Sequence, residues 1–351
     1  MLKNWIYSQN EGLNKFVLSS RIRFARNLKG EKFPHKLDEH NAVSIVGKIE
    51  ESLNGCEETF NRIDLCSKST LDKNIYLEKH LISKDLIRSS GKSSFLVNND
   101  ETISIMINEE DHLRMQFFNS GYNLIDTFNE AMKLDDFIES KIDYAFDEKI
   151  GYLTTCPTNL GTGMRASIMI HLPALTMTDN IPKVYKALTQ VGMTIRGLYG
   201  EGSKSEGAIY QVSNQITLGV SEQDILNNLY AIVKELTDKE INVRKNLFRD
   251  YEFEMKDKIY RSVGILSRCY SISSKESLEL LSHVRFGIEE GYIKTDIPIN
   301  KILIESQPAS LQNSIQKPIS KSAQKSNSKN RDFERAKFLR EYFKDIEIID
   351  K

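Results

Sequence analysis

The chain has only four cysteines in 351 residues, Cys56, Cys66, Cys156 and Cys269. They form no CxxC pair and no zinc-type spacing, which argues against a disulfide framework and for a reducing compartment. Charge of one sign is also missing: 48 Lys and Arg against 49 Asp and Glu leave a formal net charge of −1. No global basic field therefore directs the chain to nucleic acid. No run of about 18 apolar residues occurs, so no membrane span is expected. The start, Met1 to Asn10, is too polar for a signal peptide, and the cytoplasm is the expected location. The usual nucleotide signatures are absent as well. There is no GxxxxGK[ST] loop, and no GxGxxG loop, HRD or DFG. Nor is there a repeat of 20 to 50 residues.

The composition is that of a globular protein, 40% hydrophobic and 28% charged, with length enough for two domains. The most informative stretch runs from Thr154 to Met169, TTCPTNLGTGMRASIM. Pro157, Asn159, Gly161 and Gly163 favour special backbone angles and predict a tight turn. Tyr152 and Leu153 lead in as a strand, and Ile168, Leu172 and Leu175 lead out at helical spacing. A strand, a glycine turn and a helix start would leave backbone N–H groups free for an anion. Arg165 adds a planar fork of donors there, and Cys156 stands at the entrance.

Other strand ends carry similar chemistry. Phe16-Val17-Leu18 runs into Ser19-Ser20-Arg21-Ile22-Arg23-Phe24. In an extended chain Arg21 and Arg23 share one face and Ile22 and Phe24 the other. Asp38 to Glu51 reads as a capped amphipathic helix, and residues 54 to 74 as irregular. His80 lies among apolar neighbours and reads on its own as a structural histidine. Two strands flank Asn98-Asn99-Asp100, and the second ends in Asn108-Glu109-Glu110-Asp111-His112-Leu113-Arg114. Repulsion among those acids is expected to raise at least one carboxylate pKa. A helix is expected over 126–141 and another over 180–191. A strand at 193–195 then delivers Arg196-Gly197-Leu198-Tyr199-Gly200-Glu201. Residues 207 to 219 predict one or two antiparallel strands, and 222 to 236 a helix.

From about Arg244 the pattern becomes helical, with Leu247, Tyr251, Met255, Ile259, Val263 and Leu266 on one stripe of a long helix. Helices are expected near 274–290 and 297–305. Residues 306 to 330 read as a linker, and Arg331 to Arg340 as a charged terminal helix. The expected fold class is α+β, an antiparallel sheet flanked by helices plus a C-terminal helical domain. The expected boundaries are a start segment 1–15, a catalytic domain 16–243 and a helical domain 244–351. If the sheet gathers its strand ends, Arg21, Arg23, Arg114, Arg165 and Arg196 form a cage beside Glu110 and Glu201. Such a cage suits the triphosphate of Mg-ATP and a phosphoryl group in transfer.

CPTNLGTGMRA at 156–166, NEEDHLR at 108–114 and SSRIR at 19–23 together resemble the signature of the phosphagen (guanidino) kinase family. RGLYGEGS at 196–203, QVSNQITLG at 211–219 and RDFERA at 331–336 are most similar to its McsB-type branch, the bacterial protein-arginine kinases. The resemblance implies the guanidino-kinase fold and ATP-dependent phosphorylation of arginine. It implies ATP contacts from Ser19, Ser20, Arg21, Ile22, Arg23, His80, Arg114, Arg165, Ala166, Ser167, Ile168, Met169, Arg196, Gly197, Leu198, Tyr199, Gly200 and Glu201. Glu110 and Glu201 would clamp the substrate guanidinium, one of them acting as base, with Cys156 tuning the site. No protein ligands for a metal are implied, because Mg2+ would be held through the ATP phosphates. Arg331, Asp332, Arg335 and Ala336 would form a phosphoarginine-sensing site.

Small-metabolite members carry a helical domain before their SSRIR strand, whereas 18 residues precede Ser19 here. The guanidine pocket is therefore expected to be open to protein side chains. Implied partners are proteins with exposed arginine, an McsA-type activator, the Clp protease machinery and a CtsR-type repressor. Self-association as a dimer or larger is also implied, without membrane or direct nucleic-acid contact. The alternatives are a small-metabolite kinase making free phosphoarginine and an inactive arginine-binding adaptor.

Overall fold

The structure, a computed structural model, describes residues 12–88, 93–197, 205–315 and 328–349. Strands are β1 (Val17–Arg26), β2 (Phe60–Ile63), β3 (Ser94–Asn98), β4 (Ile103–Ile107), β5 (Leu113–Ser120), β6 (Phe146–Asp147), β7 (Gly151–Tyr152), β8 (Met164–His171), β9 (Met193–Gly197), β10 (Ile209–Asn214), β11 (Ile293–Lys294) and β12 (Glu347–Ile348). Helices are α1 (Glu39–Ser52), α2 (Thr70–Glu78), α3 (Lys84–Arg88), α4 (Leu124–Glu139), α5 (Pro173–Met177), α6 (Ile181–Gln190), α7 (Glu222–Asp250), α8 (Glu252–Arg268), α9 (Ser274–Glu289), α10 (Ile299–Glu305), α11 (Pro308–Ile315) and α12 (Ser328–Phe343). An α+β fold results. Eight strands form one antiparallel sheet in the order β2-β3-β4-β5-β1-β8-β10-β9, with β1 inside it.

Alternation along each strand gives the sheet two different faces. Ile22 and Phe24 on β1 share one face with Ile105 on β4, Met115 and Phe117 on β5, Ala166 and Ile168 on β8, and Val212 on β10, all buried. The apolar stripes of α1, α4, α6 and α7 close over that face to make the main core. On the other face the outer strands pack against Leu65, Leu81, Leu86 and Ile304. A further core joins α8, α9, α10 and α12 to Leu18, Ala174 and Ile209.

Three expectations change. The chain after the glycine turn is strand β8, not a helix. Met164, Ala166, Ile168 and Ile170 alternate with Arg165, Ser167 and Met169, and this period of two outweighs the helical spacing of Ile168, Leu172 and Leu175. The turn's N–H groups are also used internally. Thr162 N donates to Thr217 O at 3.1 Å, Met164 N to Thr162 Oγ1 at 3.2 Å and Ala166 N to Asn214 Oδ1 at 2.9 Å. No helix start offers an anion site there. Secondly, α7 runs unbroken from Glu222 to Asp250, and the helical stripe read from Leu247 to Leu266 is divided at Tyr251 between α7 and α8. Thirdly, the stretch read as a linker at 306–330 contains α11, and the region 54–74 contains β2 and the start of α2. Ser69 starts α2 with a reciprocal cap to Asp72.

Candidate active site

The register of β5, β1, β8, β10 and β9 places the arginines. Arg23 lies opposite Arg165 on one side and Gln116 on the other, and Arg21 opposite Ser167 and Phe118. Gln211 lies opposite both Met169 and Arg196. Arg114 is two residues from Gln116 on β5. Arg21, Arg23, Arg114, Arg165 and Arg196 therefore share the one sheet face that the main core does not cover. Like charges facing each other across strands repel, and two of the guanidiniums are held by neighbouring groups. Arg21 donates from Nε to Ser167 Oγ at 3.2 Å and from Nη2 to Gln211 Oε1 at 2.7 Å. It also lies over the Phe118 ring at 5.7 Å. Arg114 donates from Nη1 to both oxygens of Glu109, at 2.7 and 2.8 Å.

The electrostatics of this face call for an anion. Burial, then Arg114 and Arg165, pull the pKa of Arg21 down to about 9. Arg23 is lowered by burial and by Arg21, Arg114 and Arg165, and Arg165 by burial, Arg196 and Arg114. A guanidinium keeps its proton at any ordinary pH. The strain of packing these cations is therefore relieved by a negative ligand rather than by deprotonation. Among the described residues no group accepts from Arg23 Nε or Arg165 Nε, although both atoms are buried. His80 closes one end of the face with Ser19, Arg21, Phe118, Ser167, Met169 and Gln211. Burial, then Arg21, holds its pKa at about 3, so the imidazole is neutral.

At the other end the consecutive acids divide the work. Glu109, with a side chain 1% exposed, orients Arg114 and accepts from Ser83 Oγ. Burial opposes its charge, but Arg114 and Ser83 hold its pKa below the ordinary glutamate value. Glu110 is more open. Its pKa is raised by partial burial, then by Asp111, and Cys156 lies close enough to offset part of that rise. Asp111 is buried and accepts from Asn27 Nδ2 at 2.6 Å and Thr155 N at 2.7 Å. That bond fixes the loop presenting Cys156, whose Sγ also lies 3.0 Å from Thr158 Oγ1. Cys156 and Glu110 both lie close enough to Arg165 to counter its lowered pKa. The expected rise in one carboxylate pKa occurs at Glu110, with burial ahead of repulsion as its cause.

Not every candidate side chain faces the cluster. Ser20, Ile22, Ala166 and Ile168 point to the core side, and Ser20 Oγ donates to Gly121 O at 2.8 Å. Gly197 ends β9. Leu198, Tyr199, Gly200 and Glu201 lie outside the described residues. Glu109, Asp111, Ser83 and Gln211 are the participants that sequence reasoning did not select. The acidic run was a visible signal for the first two; Gln211 carried no signal before its register was known. Far along the chain, Arg335 is buried, donating to Asp332 Oδ1 at 2.6 Å, Ile272 O at 3.0 Å and Ser306 O at 2.9 Å. Ala336 is buried beside it and Arg331 is partly exposed.

An antiparallel sheet with a five-arginine face and an adjoining carboxylate–thiol pair defines an ATP:guanido phosphotransferase. Residues 42–243 match the family ATP:guanido phosphotransferase, C-terminal catalytic domain, and 252–350 match the protein-arginine kinase McsB C-terminal domain. The chain belongs to the protein-arginine kinase family. It is 49% identical to the protein-arginine kinase of Clostridium kluyveri over 97% of this chain and 98% of that one. With the protein-arginine kinase of Bacillus velezensis it shares 44% over 89% and 87%. Among solved structures it is similar to lombricine kinase, with 25% identity, TM-score 0.60, and 70% of this chain and 72% of that chain covered. The duplicated taurocyamine kinase of Schistosoma mansoni with bound transition-state analogue components has the same fold. It is 22% identical with TM-score 0.59, covering 78% of this chain and 40% of the other.

Proposed function

We propose that this enzyme transfers the γ-phosphoryl group of Mg-ATP to the guanidinium of arginine side chains in proteins. The observation that carries the reading is the shared sheet face of Arg21, Arg23, Arg114, Arg165 and Arg196, ending at Glu110 and Cys156. The arginines hold the phosphates and spread positive charge over the group in transfer. Neutral His80 lies at the nucleotide end. Mg2+, held through the ATP phosphates rather than by protein ligands, would supply further positive charge beside the arginines. A guanidine nitrogen attacks the γ-phosphorus in line, the N–P bond forms, and the bond to the β,γ-bridging oxygen breaks to release ADP. The nitrogen loses its proton to a carboxylate, Glu110 or Glu201. Cys156, beside Glu110, adds a polarisable neighbour for the guanidinium.

Residues 16–243 form the catalytic unit, and 244–351 a helical unit for regulation and self-association. Arg331, Asp332, Arg335 and Ala336 sense phosphoarginine. The enzyme works in the cytoplasm, with an McsA-type activator, in a stress response. It marks proteins for the Clp machinery and regulates a CtsR-type repressor. Among the described residues no helix is long and apolar enough to cross a membrane.

Incubation with Mg-ATP and an unfolded protein, and separately with free arginine, tests the central step. Acid-labile phosphate on protein arginine is the expected product. The likeness to lombricine kinase favours a second reading, phosphorylation of a small guanidine. Turnover of free arginine alone would replace the first reading with the second.

A further inference from the structure

Residues 306–310 join the terminal helix to the nucleotide end of the arginine face. At one end of this turn, Ser306 O accepts from Arg335 Nε at 2.9 Å. At the other, the Glu78 carboxylate accepts from Ala309 N, Ser310 N and Ser310 Oγ, each at 2.8 Å. Glu78 is thus a cap on α11 supplied from a distant element, since it is the last residue of α2. Charge-assisted bonds to backbone N–H groups are the stronger kind. The chain leaves α2 through Lys79 into His80, which has φ of 60°. That left-handed conformation is uncommon for a non-glycine residue and persists only where its surroundings fix it.

The surroundings are visible on both sides of the turn. His80 N donates to Leu77 O at 3.0 Å and Leu81 N to Tyr76 O at 3.0 Å, anchoring it to α2. Leu81 O accepts from Ser104 Oγ at 2.6 Å and Gln116 Nε2 at 3.1 Å, anchoring it to the sheet. Gln116 lies opposite Arg23. The sheet side is rigid by pairing. The other side is as rigid as the hold on the C-terminal end of α2. That hold includes the three bonds of Glu78 and the packing of Tyr76 and Leu77 on α2 against the apolar cluster that contains Leu81, Phe118 and Ile304.

We propose that Glu78 is a positioning residue for nucleotide binding. By gripping α11, whose entry turn Arg335 grips from the far side, it sets His80 against the arginine face. A change in the terminal motif then reaches the nucleotide through residues 306–310, rather than through the transfer chemistry. This inference rests on the reading of His80 as a nucleotide contact.

Steady-state kinetics of the full chain with Mg-ATP and a protein substrate test it. Glu78→Gln removes the charge and one of the acceptors. It is expected to raise KM for Mg-ATP roughly five- to tenfold, with kcat and KM for the protein within about twofold. Glu78→Asp, which retains the charge, is expected to recover part of that loss. His80→Ala is expected to raise KM for Mg-ATP by itself, and adding Glu78→Gln to it to cause no further rise. Arg335→Lys is expected to move KM for Mg-ATP in the same direction, less than additively with Glu78→Gln. A Glu78→Gln enzyme with unchanged KM for Mg-ATP overturns the proposal, whatever its melting temperature. So does an effect that stays fully additive with His80→Ala. Unchanged KM for Mg-ATP in His80→Ala alone overturns the underlying reading of His80 and this proposal with it. Phosphorylation of protein arginine by that variant leaves the proposed reaction standing.

Discussion

Glu109, Glu110 and Asp111 illustrate how neighbours of one charge acquire different tasks. Glu109 is a buried anion with a cationic fork on it, Glu110 an open carboxylate against a thiol, and Asp111 a hydrogen-bond post for the loop that carries Cys156. Glu110 combines a raised pKa with the open position that suits a proton acceptor. The sign of its pH effect follows. The acceptor form is the carboxylate, and a raised pKa means that protonation removes it at a higher pH than usual. The acid limb of kcat/KM is therefore expected to lie above the ordinary glutamate value of about 4.3. In Glu110→Gln that limb is expected to move and kcat to fall roughly 10²- to 10⁴-fold. Rate measurements from pH 4 to 9 check both; a variant with full kcat removes Glu110 from the chemistry. The sequence made the acidic run conspicuous but left the division of labour unreadable. Which acid meets Arg114, Cys156 or Thr155 depends on where β5 ends and how a loop from residue 154 returns to it.

Among the elements, β1 was the most legible and β8 the least. Arg21-Ile22-Arg23-Phe24 alternates so plainly that its two faces could be assigned before any partner strand was known. β8 has the same alternation, but Ile168, Leu172 and Leu175 also fit a helix, and β8 ends at His171 directly before the short helix α5. The glycines ahead of it were rightly read as a turn, for a reason the structure makes specific. Gly161 has φ of 98°, and a Cβ there would stand 2.3 Å from Thr217 O and 2.8 Å from Leu218 Cα. The turn is tied to the chain after β10, with Thr217 Oγ1 donating to Leu160 O at 2.7 Å and to Thr158 O at 2.9 Å. Gly161→Ala combines backbone strain with a clash against main chain. It is expected to destabilise the fold by at least about 1–3 kcal/mol and to displace Cys156 from Glu110. Urea unfolding gives the first, and thiol reactivity of Cys156 the second. An alanine variant with unchanged midpoint and unchanged reactivity would contradict the account.

Across the whole molecule, the sheet core and the helical core are joined by a buried polar cluster that no sequence motif announces. Its members come from β8, α7, α9 with the residue after it, and α10, and no local pattern relates them. Arg244 donates to Glu240 at 2.8 Å and Glu290 at 3.0 Å and pairs with Glu289 at 2.7 Å, lying over the Phe16 and Phe286 rings. Glu240 in turn accepts from Ala174 N and Leu175 N at 2.9 Å each, capping α5. Arg285 reaches Glu289 at 2.7 Å and Asn300 at 2.6 Å. His171 faces the cluster from the end of β8, with Nε2 2.8 Å from Ser282 Oγ and Nδ1 3.4 Å from Glu289. Burial, against the pull of Glu289, holds its pKa at about 4. Removing one partner would strand the rest in a region of low polarity. Arg244→Met is therefore expected to cost about 3–5 kcal/mol, because Glu240 remains buried without its cation and Glu289 keeps only Arg285. The acid side of stability tests the same cluster. Burial opposes the charge of Glu289, but Arg244, His171 and Arg285 hold its pKa well below the ordinary value. A depressed pKa contributes stability above the unfolded value of about 4.3, lost as pH falls toward the folded one. Unfolding free energy is therefore expected to fall more steeply from about pH 5 to 3 in the native chain than in Glu289→Gln, once other carboxylates are common to both. Denaturant melts of the two proteins across that range decide it. Parallel curves would mean that Glu289 is protonated in the folded state and that Arg244 holds the two cores together through Glu240 and Glu290.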